Sequence, residues 1–506
     1  MAKKISSSKK GFRLKFDPDF GTAVHALKAI ETGIISSKEL TKHVFDRIKK
    51  HNEKINAFVT LSEEQALARA RQADDAQARG EKWGPLHGLP ILIKDQFETV
   101  GLKTTCGYPE LAEHVPGENA VAVQKLLDAG AIIVGKTNTP IGASDIQTYN
   151  KVSGTTNNPW DVTRTSGGST GGGAAALAAG LGFLELGADL AGSIRTPSDF
   201  CGVCGHKSSL NLVSFQGAIP PLPSLLPPGV NLAGLNDLAV VGPMARSASD
   251  LKLELGIIAG PAPEDAVAYR WVLPKPRKTK LKEYKIGFVT DDPFCPVNPE
   301  VRAVIAGAVN ALREEGVTVK EGWPDGIVFA DVFNTYFKLM AAMVSQSPVF
   351  TDTVISMLKL LYFTPYGETQ RNFVEGLTLS HKDWYALSVG RLLSRHAWQN
   401  YFKEYDAFLM PANCIPAFAH NQDRNMWGRL VESSDQLRYY AETFKWISPA
   451  TLAGCPATVI PAGKTKDNLP VGIQIMGPYL EDATPLDLAI RMEKVLGGFT
   501  PPPGFE

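Results

Sequence analysis

The chain lacks an excess of either charge, a cysteine framework and any long apolar run. Lysine plus arginine number 52 and aspartate plus glutamate also 52 in 506 residues. That balance leaves no bulk field to gather nucleic acid or an anionic membrane. The basic stretches 3–10 and 275–282 are short and carry no interleaved aromatics, so they read as a solvated tail and a surface linker. No apolar stretch reaches the ~20 residues of a membrane span, and residues 1–16 have the charges of a secretory leader without its apolar core. The expectation is a cytoplasmic protein with no nucleic-acid and no membrane partner. Six cysteines, at positions 106, 201, 204, 295, 414 and 455, are too scattered to staple a chain of this length, so reduced thiols are expected. Cys201-x-x-Cys204 with His206 nearby lacks a second ligand pair and reads as buried thiols, not a metal site.

What the chain does have is two serines in glycine-rich, charge-poor runs, and one well-placed lysine. Ser169 sits in Thr165-Ser166-Gly167-Gly168-Ser169-Thr170-Gly171-Gly172-Gly173, ahead of an alanine-rich stretch that reads as a buried helix. Ser193 follows Gly187-Ala188-Asp189-Leu190-Ala191-Gly192. Small residues before a serine leave backbone N–H groups free to bind an anion, and glycine lets backbone and ligand approach closely. Lys94 closes the apolar run Pro90-Ile91-Leu92-Ile93, which reads as a buried strand. Desolvation there disfavours the ammonium and turns the amine into a base near neutrality. Taken alone, Lys94 also reads as a lysine snorkelling from a strand end. Lysine with two such serines can run acyl transfer without histidine, metal or cofactor.

These segments resemble the amidase signature family of serine hydrolases. Residues 167–180 and 189–207 carry the resemblance, supported by 33–58, 88–95, 130–138, 157–160, 242–247 and 454–477. It implies an α/β amidase signature fold, a large mixed β-sheet core flanked by α-helices on both sides. One domain over 1–506 is expected: a helical N-terminal part (17–80), a signature core (81–260), a variable substrate-pocket region (261–400) and a C-terminal return to the core (401–495). It further implies a Ser-cisSer-Lys triad, with Ser193 as nucleophile, Ser169 as bridging serine on a cis peptide after Gly168, and Lys94 as base. The oxyanion hole falls to the backbone N–H groups of Leu190, Ala191, Gly192 and Ser193, and substrate contacts to Gly168 and Thr170. Neither cofactor nor metal is implied. Leu190 and Ala191 depart from the commoner family residues, and alanine at 191 would be strained if that position needed positive φ. Thr170 replaces a second serine, and His206 with Ser208-Ser209 departs from the usual residues around Lys207. Asp189 and Arg195 hold the loop in the family; a reading of Arg195 as a carboxylate receptor is the lesser alternative.

Two literal motifs compete. Gly167-x-Ser169-x-Gly171 matches the nucleophile elbow of α/β-hydrolases, with His206, His381, His396 and His420 as candidate partners, but polar residues 161–166 replace the strand an elbow needs. Gly130-x-x-x-x-Gly135-Lys136-Thr137 matches a phosphate-binding loop, yet Ala131-Ile132-Ile133-Val134 is a strand and Pro140 blocks the helix.

Helices are expected over 21–32, 37–51 and 63–79, the last two opened by capping boxes Ser36-x-x-Glu39 and Ser62-x-x-Gln65. Strands at 89–93 and 131–134 flank a helix near 119–129. A strand at 285–289 precedes a helix over 298–315 with Asn298 as cap. The proline-rich 215–235 segment is read as a wall of the substrate entrance, and aromatics of 327–363 (Phe333, Tyr336, Phe337, Met340, Met343) as pocket candidates, though helix packing suits most of them better. These features favour a small-molecule hydrophobic or aryl amide, with an anilide, ester or carbamate also allowed and a homodimer left open. The alternative is the glutaminase subunit of a tRNA-dependent amidotransferase, against which the missing tyrosine cluster in 384–402 is counted.

Overall fold

The computed structural model describes residues 16–223, 237–345, 350–360, 367–423 and 428–506. Eleven strands build one sheet: β1 (Phe58–Leu61), β2 (Pro90–Lys94), β3 (Ile132–Thr137), β4 (Leu184–Asp189), β5 (Cys204–Lys207), β6 (Val240–Ala245), β7 (Lys285–Phe288), β8 (Thr318–Glu321), β9 (Ala407–Pro411), β10 (Ala457–Lys464) and β11 (Pro470–Met476). Their spatial order is β1-β3-β2-β4-β6-β5-β10-β11-β9-β7-β8. Pairing is parallel for β2 with β3 and β4, and for β7 with β8 and β9; the remaining pairs are antiparallel. The large mixed sheet flanked by helices is the architecture the sequence implied. Strands β2, β3 and β4 are buried at every position, and the apolar runs that open β2 and β3 fit that burial.

The N-terminal helices Ala23–Glu31, Ser37–Ile55 and Glu63–Ala78 lie close to the expected ranges. The Ser36–Glu39 capping box is complete. Ser62 is different: its hydroxyl donates to the carbonyls of Ile133 (2.6 Å) and Val134 (2.9 Å), so a tertiary contact takes the group that would have capped the helix. Asn298 caps the helix Pro299–Glu314 through N–H groups of Glu300 and Val301, and that helix buries Val301, Ile305, Ala308, Val309 and Leu312.

Three structural features position the site. Strands β2 and β4 run parallel in adjacent places, so Lys94 and Asp189, their last residues, emerge at the same edge of the sheet. In open α/β sheets this carboxyl edge is where ligands bind. The helix Gly171–Ala178 begins directly after Ser169, and the helix Arg195–Cys201 directly after the Ser193 turn.

Candidate active site

Lys94 Nζ donates to Ser169 Oγ at 2.6 Å, and the Gly168–Ser169 peptide is cis. Lys94 is fully buried and does not snorkel. Burial pushes its ammonium down to about 8, while the surrounding Cys106, Glu185 and Asp189 pull the other way. The two serine loops are tied together by the Thr170 N–H, which donates to the Ser193 carbonyl (3.1 Å). Ser169 is 1% exposed and Ser193 8%, so Ser193 is the serine that an incoming molecule meets first.

The loop around Ser193 is held from below by Asp189. Its carboxylate accepts the N–H groups of Gly192 (3.1 Å), Ile194 (3.1 Å) and Arg195 (3.2 Å) and two bonds from the Arg195 guanidinium. That charge-rich setting holds Asp189 down at about 2 against the opposing effect of burial. Arg195 spends its remaining donors on the Ile447 carbonyl, Gln474 Oε1 and Thr451 Oγ1, each at 2.7–2.8 Å. With every donor committed and no exposed surface, Arg195 is a loop brace and not a carboxylate receptor.

One of the four expected oxyanion donors is already in use, since the Gly192 N–H is given to Asp189. Among the described residues no acceptor is assigned to the N–H groups of Leu190, Ala191 and Ser193. The left-handed position of this loop is Gly192 (φ 89°), so alanine at 191 carries no strain. Gly168 presses against the backbone of residues 145–147, where a Cβ would stand 2.6 Å from the Asp145 carbonyl oxygen. Thr170 is buried with its side chain facing Gly187, and its Oγ1 has no assigned partner.

Residues of the competing motifs serve other contacts, and His381 and His396 are exposed on the surface. Lys136 and Thr137 are the end of strand β3, and Lys136 Nζ donates to the Phe97 carbonyl, Thr99 Oγ1 and Thr104 Oγ1. His206 is bound between Thr458 Oγ1 (2.9 Å) and Asp482 Oδ1 (3.1 Å), and His420 faces Asn157 Oδ1. Cys201 Sγ donates to the Ser166 carbonyl and Cys204 Sγ to Glu493, so the two thiols serve different neighbours. Sequence reasoning passed over Tyr336 as a loop contact: its hydroxyl donates to the Leu190 carbonyl at 3.3 Å, beside the expected oxyanion donors.

The fold is an eleven-stranded mixed sheet with the Lys94–Ser169 pair at its carboxyl edge, and it is the fold of a hydrolase class. The profile of the Amidase family matches residues 39–486, and the chain belongs to that family, the amidase signature enzymes that act on carbon–nitrogen bonds. It is 34% identical over 482 residues to the A subunit of glutamyl-tRNA(Gln) amidotransferase from Moorella thermoacetica, covering 91% of this chain and 93% of the relative. The same-named protein of Geobacillus thermodenitrificans is also 34% identical, over 91% and 94%. A crystal structure of an amidase superposes with a TM-score of 0.74 at 28% identity, covering 94% of this chain and all of that one.

These relatives overturn the expectation of a hydrophobic or aryl amide as substrate, together with the expectation of no nucleic acid and at most a possible homodimer as assembly. The physical reason lies in the aromatics that had prompted it. Phe333 and Phe337, on the helix Phe329–Val344, are fully buried and packed on each other and on Phe294, Phe373 and Phe444. They are core, not pocket wall. Of the proline-rich segment, Ile219 is buried and its N–H donates to the Gln96 carbonyl (2.8 Å), while 224–235 lie outside the described residues, as do 346–349 and 361–363 of the aromatic stretch. Among the described residues no helix is long and apolar enough to cross a membrane.

Proposed function

We propose that the chain is the glutamine-hydrolysing subunit of a tRNA-dependent amidotransferase, releasing ammonia for use by partner subunits as an acyl-enzyme forms on Ser193. The observation that carries this reading is the identity of 34% that runs over nine-tenths of both this chain and the amidotransferase protein of Moorella thermoacetica.

The chemistry follows from the site. Neutral Lys94 takes the Ser169 hydroxyl proton across the 2.6 Å contact as Ser169 takes the proton of Ser193. Ser193 Oγ then attacks the side-chain amide carbon, and the tetrahedral oxyanion faces the unpaired N–H groups of Leu190, Ala191 and Ser193. Each such donor is worth about 3–4 kcal/mol in the transition state. The proton returns through Ser169 to the leaving nitrogen, ammonia departs, and water repeats the sequence to release glutamate. Lysine suits this relay because burial holds it close to neutrality, where both of its protonation states are accessible.

The test is glutamine hydrolysis by the purified chain alone and with proteins that co-purify from its native host, followed by amidation of glutamyl-tRNA(Gln). The reading expects glutamine to be hydrolysed, a co-purifying subunit to raise the rate, and Ser193→Ala to abolish both activities. Turnover of anilides or carbamates at least ~100-fold more efficient than glutamine, about 2.7 kcal/mol in transition-state binding, with no co-purifying subunit, overturns it.

A further inference from the structure

Glu185 is a fully buried carboxyl group that the mechanism above does not use. It lies on β4, in register with Leu92 of the parallel strand β2. Its Oε1 accepts the Thr137 hydroxyl at 2.6 Å, and Thr137 is the register partner of Lys94 on the far side of β2. The side chain therefore crosses over the strand that carries Lys94, beside the last residues of that strand. From above, the helix that follows Ser169 closes on it: a Cβ on Gly173 would stand 2.4 Å from Glu185 Cδ. The absent side chain at 173 is what makes room for the carboxyl group. Oε2 has no assigned hydrogen-bond partner.

We propose that Glu185 is a positioning residue for Lys94, held over the Lys94 strand so that its charge sets the proton occupancy of the catalytic lysine. The inference rests on the reading of Lys94 as base. The coupling acts through space, because the contact of Lys94 Nζ is with Ser169.

The neighbours leave Glu185 as the adjustable charge. Lys94 faces Cys106, whose thiol burial pushes up to about 12, and Asp189, which is tied to Arg195. Glu185 faces Lys94, Lys136 and Glu254. Lys136 lies 3.9 Å from Asp95 and donates to three oxygens around the 97–104 loop. Glu254 is fully buried with both oxygens lacking an assigned hydrogen-bond partner, and burial drives its carboxyl far toward the neutral form. Burial likewise pushes the Glu185 carboxyl up, with Thr137, Lys94 and Lys136 pulling it down. Desolvation alone would drive the lysine lower and make it a weaker base; a nearby carboxylate restores part of its basicity.

The test follows fluorophosphonate labelling of Ser193 against pH, which is independent of the natural amide. Glu185→Gln keeps an oxygen for Thr137 and removes the charge. Its acid limb moves to lower pH by about half a unit or more, and the plateau falls a few-fold because the base is weaker. Thr137→Val, which frees the carboxyl from its anchor and makes it less ionised, moves the limb the same way by less and serves if the first variant does not fold. Glu254→Gln leaves the limb in place. An unmoved or upward-moving limb in Glu185→Gln, or an equal shift in Glu254→Gln, overturns the proposal. Undiminished labelling in Lys94→Ala would instead overturn the base assignment, so the two failures are distinguishable.

Discussion

Arg195 and Asp189 form a two-bond ion pair with no solvent exposure, at 2.7 Å and 3.0 Å, directly beneath the turn that carries Ser193. The pair shapes the backbone that surrounds Ser193. Asp189 also takes three N–H groups of the same turn, which fixes where the remaining N–H groups point.

Breaking that pair from one side leaves a buried charge without its counterion. Arg195→Met is expected to cost about 3–5 kcal/mol of stability and to abolish activity, read by urea unfolding and by Ser193 labelling in parallel. The acid sensitivity follows with the opposite partner. Asp189 is held at about 2, below its unfolded value, so its contribution is complete above pH ~4 and is lost as pH falls through about 2. Wild-type protein should therefore lose stability over that window more steeply than Asp189→Asn.

Gly192 has φ 89°, and a Cβ there would meet Thr196 Oγ1 at 2.7 Å and the Ile447 side chain at 3.1 Å. Gly192→Ala should shift the turn that presents the Ala191 and Ser193 N–H groups. If these N–H groups form the proposed oxyanion hole, kcat falls by about 10²–10³ with KM changed much less. Equal loss in kcat and gain in KM would assign the turn to substrate binding instead.

Glu185 makes a prediction about stability as well as rate. Its folded-state value lies above its unfolded value, so folding favours the protonated form. Wild-type stability should fall relative to Glu185→Gln as pH rises from about 4.5 to about 8, measured by Tm in matched buffers. A constant difference across that window would mean that the carboxyl is ionised throughout.

Much of this site is readable in the sequence because its parts are locally marked. The apolar run before Lys94 announces a strand end, and the glycines around Ser169 and Ser193 announce tight backbone. Glu185 is not readable that way. In Leu184-Glu185-Leu186 it looks like the outward residue of a half-exposed strand, whereas a helix packs over it at Gly173 and its carboxyl group is bonded to Thr137. Ser62 shows the same limit, since its hydroxyl serves strand β3 and not its own helix. Substrate class is not legible for a related reason: Phe333 and Phe337 have the same helical spacing whether they line a cavity or fill a core. Packing against Phe294, Phe373 and Phe444 decides for the core.

In the proposed mechanism Ser193 attacks, with Ser169 and Lys94 relaying its proton. Mapping a fluorophosphonate adduct by peptide mass spectrometry tests it most directly. The adduct is expected on Ser193, with none in Ser193→Ala and labelling slowed by about 10²-fold or more in Ser169→Ala and Lys94→Ala. An adduct on Ser169 that persists in Ser193→Ala would contradict it.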